Sequence, residues 1–170
     1  MKITKIILLA LIPLMFSSCA SVSYQPVILN PVQITRNAPI DEYRYFYITP
    51  NEAKTSSMGG IYGNNKGVYG SSVSKSTNPS DIISGYFIKK GLVRLAEIKK
   101  DIEGQTMIIN YGETGRRNTS TGYTIEVTLQ FVSAKTNNVI CVVTGEGQGQ
   151  TEADDIRIAI NRCLEEMYKQ

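Results

Sequence analysis

Tyr123-Thr124-Ile125-Glu126-Val127-Thr128-Leu129-Gln130-Phe131 is the most regular stretch of the chain. Apolar or aromatic residues alternate with polar ones without a break. That period of two predicts a strand with one face in a core and the other toward water. Ser133 to Asn138 supplies a turn, and Val139 to Thr144 returns as an antiparallel partner. Upstream, Thr106 to Tyr111 reads as a buried strand, and Gly112 to Gly122 as a loop carrying Glu113, Arg116 and Arg117. Downstream, Gly145, Gly147 and Gly149 are expected to release the chain from the sheet.

A helix closes the chain. Thr151 and Asp154 form a near capping box. Ile156, Ala159, Ile160, Cys163, Leu164 and Met167 make one apolar stripe at helical spacing. A shorter helix opens at Asn78-Pro79-Ser80-Asp81, with Ser80 as the expected N-cap and Asp81 at the positive end of the dipole. Ile82, Ile83, Tyr86 and Phe87 share a face. Lys89-Lys90-Gly91 is a stop signal, and Leu92 to Ile98 reads as a short strand. The first strand is expected over Glu42 to Thr49, where Tyr43, Tyr45 and Tyr47 alternate with Arg44, Phe46 and Ile48; Pro50 ends it. The elements together predict an α+β domain: a mostly antiparallel sheet of about five strands, with two helices on one face.

Lys54 to Asn78 fits none of these patterns. Eleven of its 25 residues are Gly or Ser, which argues for a loop. Within it, Gly60-Ile61-Tyr62-Gly63 recurs as Gly67-Val68-Tyr69-Gly70, and a small hairpin about Asn64-Asn65 would explain the repeat. The stretch reads as a surface loop with Tyr62 and Tyr69 resting on the domain, or as a lid or partner-binding loop.

The N-terminus carries an address. Lys2 and Lys5 precede the apolar run Ile6 to Met15, and Phe16-Ser17-Ser18-Cys19 closes it. The run falls short of the roughly 20 residues a membrane span needs, so residues 1–18 read as a cleaved secretory signal. Phe16, Ser17 and Ser18 would be the peptidase recognition residues, and Cys19 the lipidation site. Residues 19–41 read as a tether, and 42–170 as one domain. Lys2 and Lys5 supply two of the three net positive charges. The domain is therefore near neutral, which removes the electrostatic footing for nucleic-acid binding.

The chain has no histidine. That excludes Ser-His-Asp and Cys-His catalysis and histidine-based metal sites. Carboxylate chemistry remains as an enzymatic alternative, with Glu113 facing Glu126 or Glu146 across a cleft. Glu152, Asp154 and Asp155 read as first-turn acids of a helix rather than a cation site. Gly145-Glu146-Gly147-Gln148-Gly149 lacks the spacing and the crossover unit of a dinucleotide fingerprint. No cofactor and no metal is expected. Cys141 and Cys163 either pair or stay buried as small apolar thiols. Glu113, Arg116 and Arg117 form either a solvated loop cluster or a site for carboxylate or phosphate.

The layout resembles small gram-negative cell-envelope lipoproteins of unknown function. The residues that carry the resemblance are the lipobox, Lys90-Gly91 at a helix end, Ala134-Lys135-Thr136-Asn137-Asn138 between apolar strands, and the closing helix Ile156 to Met167. It spans Glu42 to the C-terminus apart from the Gly/Ser stretch. It implies a lipid-anchored, non-catalytic module. With Ala20 after the cysteine and no acidic run following, it implies the periplasmic face of the outer membrane, the N-terminal lipid in the bilayer, and an envelope protein or polymer as partner. A self-assembling structural subunit is a further alternative.

Overall fold

A computed structural model describes the backbone of residues 27–50, 54–64, 67–120 and 122–169, and the side chains of these outside 54–75. Phe16, Ser17, Ser18 and Cys19 lie outside the described residues. The strands are β1 (Gln33–Arg36), β2 (Tyr45–Ile48), β3 (Lys54–Asn64), β4 (Gly67–Thr77), β5 (Val93–Arg94), β6 (Thr106–Thr119), β7 (Gly122–Ser133) and β8 (Val139–Gly147). The helices are α1 (Pro79–Lys89) and α2 (Glu152–Met167).

Six strands form one mixed sheet in the order β1-β8-β7-β6-β2-β5, and β3 and β4 form a separate two-stranded ribbon. The α+β class, the two helices and the mostly antiparallel pairing agree with the sequence reading, but the sheet is mixed and has six strands rather than about five. β2 runs parallel to both β6 and β5. The cause lies in the connections: β2 and β5 are joined through α1, and a crossover of that kind returns the chain in the same direction. The sixth strand, β1, lies inside the stretch read as tether. It has four residues, mostly exposed, and pairs antiparallel with β8 at the sheet edge. Pro31 and Pro39 flank it and mask its signal.

The β7 alternation sets the core. Ile125, Val127, Leu129 and Phe131 are fully buried and lie opposite Gly147, Gly145, Val143 and Cys141 of β8. On this face α2 buries Ile156, Ala159, Ile160, Cys163 and Leu164. Helix α1 adds Ile83 and Phe87. Phe87 is the junction: its ring lies 5.4 Å from Phe46, 5.9 Å from Phe131 and 5.8 Å from Tyr86. The Tyr86 hydroxyl donates to the Leu164 carbonyl at 2.9 Å, tying the helices together. Cys141 and Cys163 are both free and buried; burial pushes the Cys163 thiol up to about 12, which makes it inert.

Helix ends follow local chemistry. Asn78, not Ser80, caps α1, accepting from the Ser80 amide at 3.0 Å with Pro79 in the first turn. Thr151 caps α2 as expected, accepting from the Asp154 amide. The last turn of α2 carries no basic residue, and Arg36 of β1 supplies the cation, donating to the Met167 carbonyl at 2.7 Å. In the β7–β8 turn Asn137 takes a φ of 56°, a conformation asparagine tolerates.

Of the three glycines after Thr144, only Gly149 lies past the end of the strand. Gly145 and Gly147 belong to β8, and they let α2 lie against it. A Cβ on Gly147 would sit 2.0 Å from the Asp155 carbonyl oxygen and 2.6 Å from the Ala159 nitrogen. One on Gly145 would sit 2.9 Å from the Cys163 sulfur. The Gly-x-Gly-x-Gly pattern is thus a groove for a helix backbone.

Candidate functional site

The polar residues nominated from sequence fall on β6, β7, β8 and the first turn of α2. Gly112 to Gly122 is not a loop: β6 runs through to Thr119 and pairs with β7 over its whole length, with a bulge at Thr114. The bulge re-aims the residues that follow. Glu113 lies opposite Val127 and Arg116 opposite Ile125, on the helix-bearing face; Arg117 lies opposite Thr124, on the other face. The three therefore do not form one site.

Arg116 reaches the start of α2. Its guanidinium is 2.8 Å from Glu152 Oε1 and lies 5.1 Å from the centre of the Tyr123 ring. Both partners are partly exposed, so this pair contributes little to stability. Glu113 accepts from the Tyr111 hydroxyl at 3.2 Å.

Arg117 makes the tighter arrangement. It grips Glu146 with two hydrogen bonds, Nε to Oε1 at 3.0 Å and Nη2 to Oε2 at 2.6 Å. This fork-on-carboxylate geometry is the strong form of ion pair. Asn30 adds two more donors to the same carboxylate, its amide to Oε2 at 3.1 Å and its side chain to Oε1 at 2.8 Å. Arg117 also donates to the Ile28 carbonyl at 3.2 Å, and Arg162 of α2 donates to the Asn30 carbonyl at 2.8 Å. Arg162 further donates to the Glu146 carbonyl. Ile28 to Asn30 is thereby strapped to β6, β8 and α2. The sequence offered no signal for this arrangement, because Asn30 meets Glu146 and Arg162 only across more than a hundred residues of chain.

The Arg117 fork and the Asn30 donors hold the Glu146 carboxyl below its ordinary range against the opposing effect of burial. A carboxylate with a lowered folded pKa contributes stability above its unfolded value, and that contribution is lost as pH falls through the folded one. Glu146→Gln should therefore destabilise the protein at neutral pH, and its deficit against wild type should shrink below about pH 4.3. Thermal unfolding of both proteins at neutral pH and near pH 3 checks this. Asp155 moves the other way: burial raises its pKa, opposed by the Gly149 amide that it accepts.

The rest of this face is a hydrogen-bonded polar ladder. Thr49 donates to Asn110 at 2.6 Å and Asn110 to Gln130 at 3.1 Å. Thr114, Thr128 and Thr144 link across three strands. Glu126 lies directly opposite Glu146, but it accepts from Thr114 at 2.8 Å on an open sheet, while Glu113 is on the other face. The facing pair that carboxylate catalysis needs is not formed across a cleft. Among the described residues no cluster of Cys, Asp and Glu gathers as a metal site, and no helix is long and apolar enough to cross a membrane.

Two adjoining recesses lie at the opposite end of the sheet. One, of about 120 Å³, is lined by Arg36, Pro39, Ile40, Cys141, Met167 and Tyr168. The other, of about 340 Å³, is lined by Ile40, Asp41, Tyr43, Arg44, Lys90 and Tyr168. Lys90 Nζ sits 4.7 Å from the centre of the Tyr168 ring.

The Gly/Ser stretch is the remaining candidate. The hairpin expected about Asn64-Asn65 extends along the full stretch, with β3 and β4 in register from Lys54↔Thr77 to Asn64↔Gly67. Tyr62 and Tyr69 are cross-strand partners; their side chains lie outside the described residues. The base of the ribbon is tied to α2, where Arg157 donates to the Thr77 hydroxyl at 3.1 Å.

No family model matches the chain, and no curated protein matches it. Among solved structures it is similar to the dodecamer of a PelC point variant from Paraburkholderia phytofirmans in space group C2, with 12% identity and a TM-score of 0.49 over 81% of this chain and 95% of that one. The PelC dodecamer from the same organism in space group P6 aligns with 12% identity and a TM-score of 0.47, over 84% of this chain and 99% of that one. A PDZ domain protein from Parabacteroides distasonis ATCC 8503 aligns with 9% identity and a TM-score of 0.48, over 84% of this chain but 36% of that one.

Proposed function

We propose that this protein is a lipid-anchored module of the cell envelope, facing the periplasm, that binds an envelope protein or polymer through its β3–β4 ribbon and performs no catalysis. The observation that carries the reading is the ribbon itself. Each strand has 11 residues, and neither joins the main sheet. Both strands touch α2, but a two-stranded hairpin is marginally stable in water without further cover, so one of this length is best explained by a partner that covers the rest of it. The anchoring part rests on Phe16-Ser17-Ser18-Cys19. The non-catalytic part is supported by the absence of histidine and by the engagement of Glu146 with Arg117 and Asn30.

A photo-crosslinking residue in place of Tyr62 or Tyr69 tests the binding surface in cells. One discrete adduct is the expected result; adducts to nothing from either position would remove the ribbon as the site. For the anchor, Cys19→Ser should abolish lipid incorporation and membrane retention.

A second reading, self-assembly through a sheet edge, draws on β6. Only Thr106 to Ile109 of its 14 residues pair with β2, and among the described residues no other strand pairs with that edge beyond Ile109, which leaves it as a candidate for strand addition. Sedimentation of the mature domain over a range of concentrations separates the two: a single monomeric species at all concentrations is incompatible with self-assembly.

A further inference from the structure

The strap at Ile28–Asn30 has a geometric consequence for a protein held by Cys19. Strand β7 runs between two poles. At one lie the β6–β7 turn and the start of α2; at the other lie the β7–β8 turn, the end of α2 and the two recesses. β1 runs from Gln33 opposite Thr144 to Arg36 opposite Cys141. The chain before it therefore points toward the first pole, where Arg117, Glu146 and Arg162 fix it. Ile28, 89% exposed, is the most exposed large apolar side chain among the described residues.

Only eight residue steps separate Cys19 from Val27, and fully extended they reach about 28 Å. Thr124 of β7 lies level with Arg117, which holds the Ile28 carbonyl, and the nine steps from there to Ser133 at the second pole span about 30 Å at strand rise. With the strap closed, the first pole lies well within tether reach of the lipid, whereas the second could turn to the bilayer only with the tether drawn out to its full length. We propose that the pole bearing the strap, with Ile28 and the β6–β7 turn, rests against the membrane surface, and that the Arg117–Glu146–Asn30 contacts keep it there. The recesses beside Lys90 and Tyr168 then point away from the membrane. This inference rests on lipidation at Cys19.

The test uses the lipidated full-length protein in vesicles that contain a headgroup-labelled acceptor lipid. One donor dye is placed at Ser120→Cys, in the β6–β7 turn, and in a second preparation at Lys135→Cys, in the β7–β8 turn. Cys141 and Cys163 are buried and do not compete for label. Energy transfer from position 120 should exceed that from position 135 by at least about twofold, given the separation along the strand. Inserting a dozen Gly/Ser residues after Ser23 leaves the domain untouched and should erase the difference. Equal transfer from both positions at native tether length, or greater transfer from 135, would overturn the orientation while leaving the anchor intact. Failure of the protein to stay with the vesicles would overturn the anchor, and the orientation with it.

Discussion

Gly147→Ala is expected to abolish folding. The added methyl would fall 2.0 Å from the Asp155 oxygen and 2.6 Å from the Ala159 nitrogen. Both are backbone atoms inside α2, so no side-chain rotation relieves the overlap. The helix would have to lift from β8, which would uncover Ile156, Ala159, Ile160, Cys163 and Leu164, all fully buried now. The cost of that exposure exceeds about 5 kcal/mol at ordinary apolar transfer energies, comparable with the whole stability of a domain this size. Gly112→Ala is the control. It sits in β6 with nothing within 4 Å of a built Cβ, and it should be neutral or stabilising by up to about 1 kcal/mol. Circular dichroism and urea titration of the two variants give the comparison. A cooperatively folded Gly147→Ala protein of wild-type stability would show that α2 does not seat on β8 as described.

Phe87→Ala should cost about 3–5 kcal/mol, the range for deleting a fully buried aromatic side chain. Phe87 is the ring at which α1, β2 and β7 meet, with Phe46 and Phe131 on either side and Tyr168 at 6.4 Å. Its removal leaves a void that these neighbours, held on separate elements, cannot close together. Tyr86→Phe is the companion: it keeps the ring and loses the hydroxyl donated to Leu164, with an expected cost of about 1 kcal/mol. Equal effects from the two variants would place the weight on the hydrogen bond rather than on the aromatic junction.

The elements with strong periodicity were legible in advance. β7 alternates because one face meets the helices, and α2 carries a complete stripe because that stripe covers β7 and β8. The features that escaped have a common origin. β1 is four residues between prolines and becomes a strand only because β8 offers an edge. The continuation of β6 past Gly112 is polar because its arginines meet Glu152, Glu146 and the Ile28 carbonyl rather than a core, and polarity read locally means loop. The parallel pairing of β2 depends on where α1 carries the chain, which no window of residues encodes. The same holds for the polar groups: Arg116 and Arg117 are adjacent in sequence but serve opposite faces, and Glu146 finds Asn30 only through the tertiary fold. Conversely, the Gly145-Glu146-Gly147 pattern was visible, and its meaning required the helix that lies on it.

If the ribbon makes this protein an interaction module, as proposed, removing it should remove the partner. The most direct measurement is in-cell crosslinking of the tagged full chain, set beside a variant in which residues 56–75 are replaced by a two-residue turn. That replacement keeps the bond between Arg157 and Thr77 and leaves the main sheet whole. One stoichiometric partner should be captured by the full chain and be absent from the shortened one at equal expression. The same partner recovered at equal yield from both, or none recovered from either, would contradict that role for the ribbon.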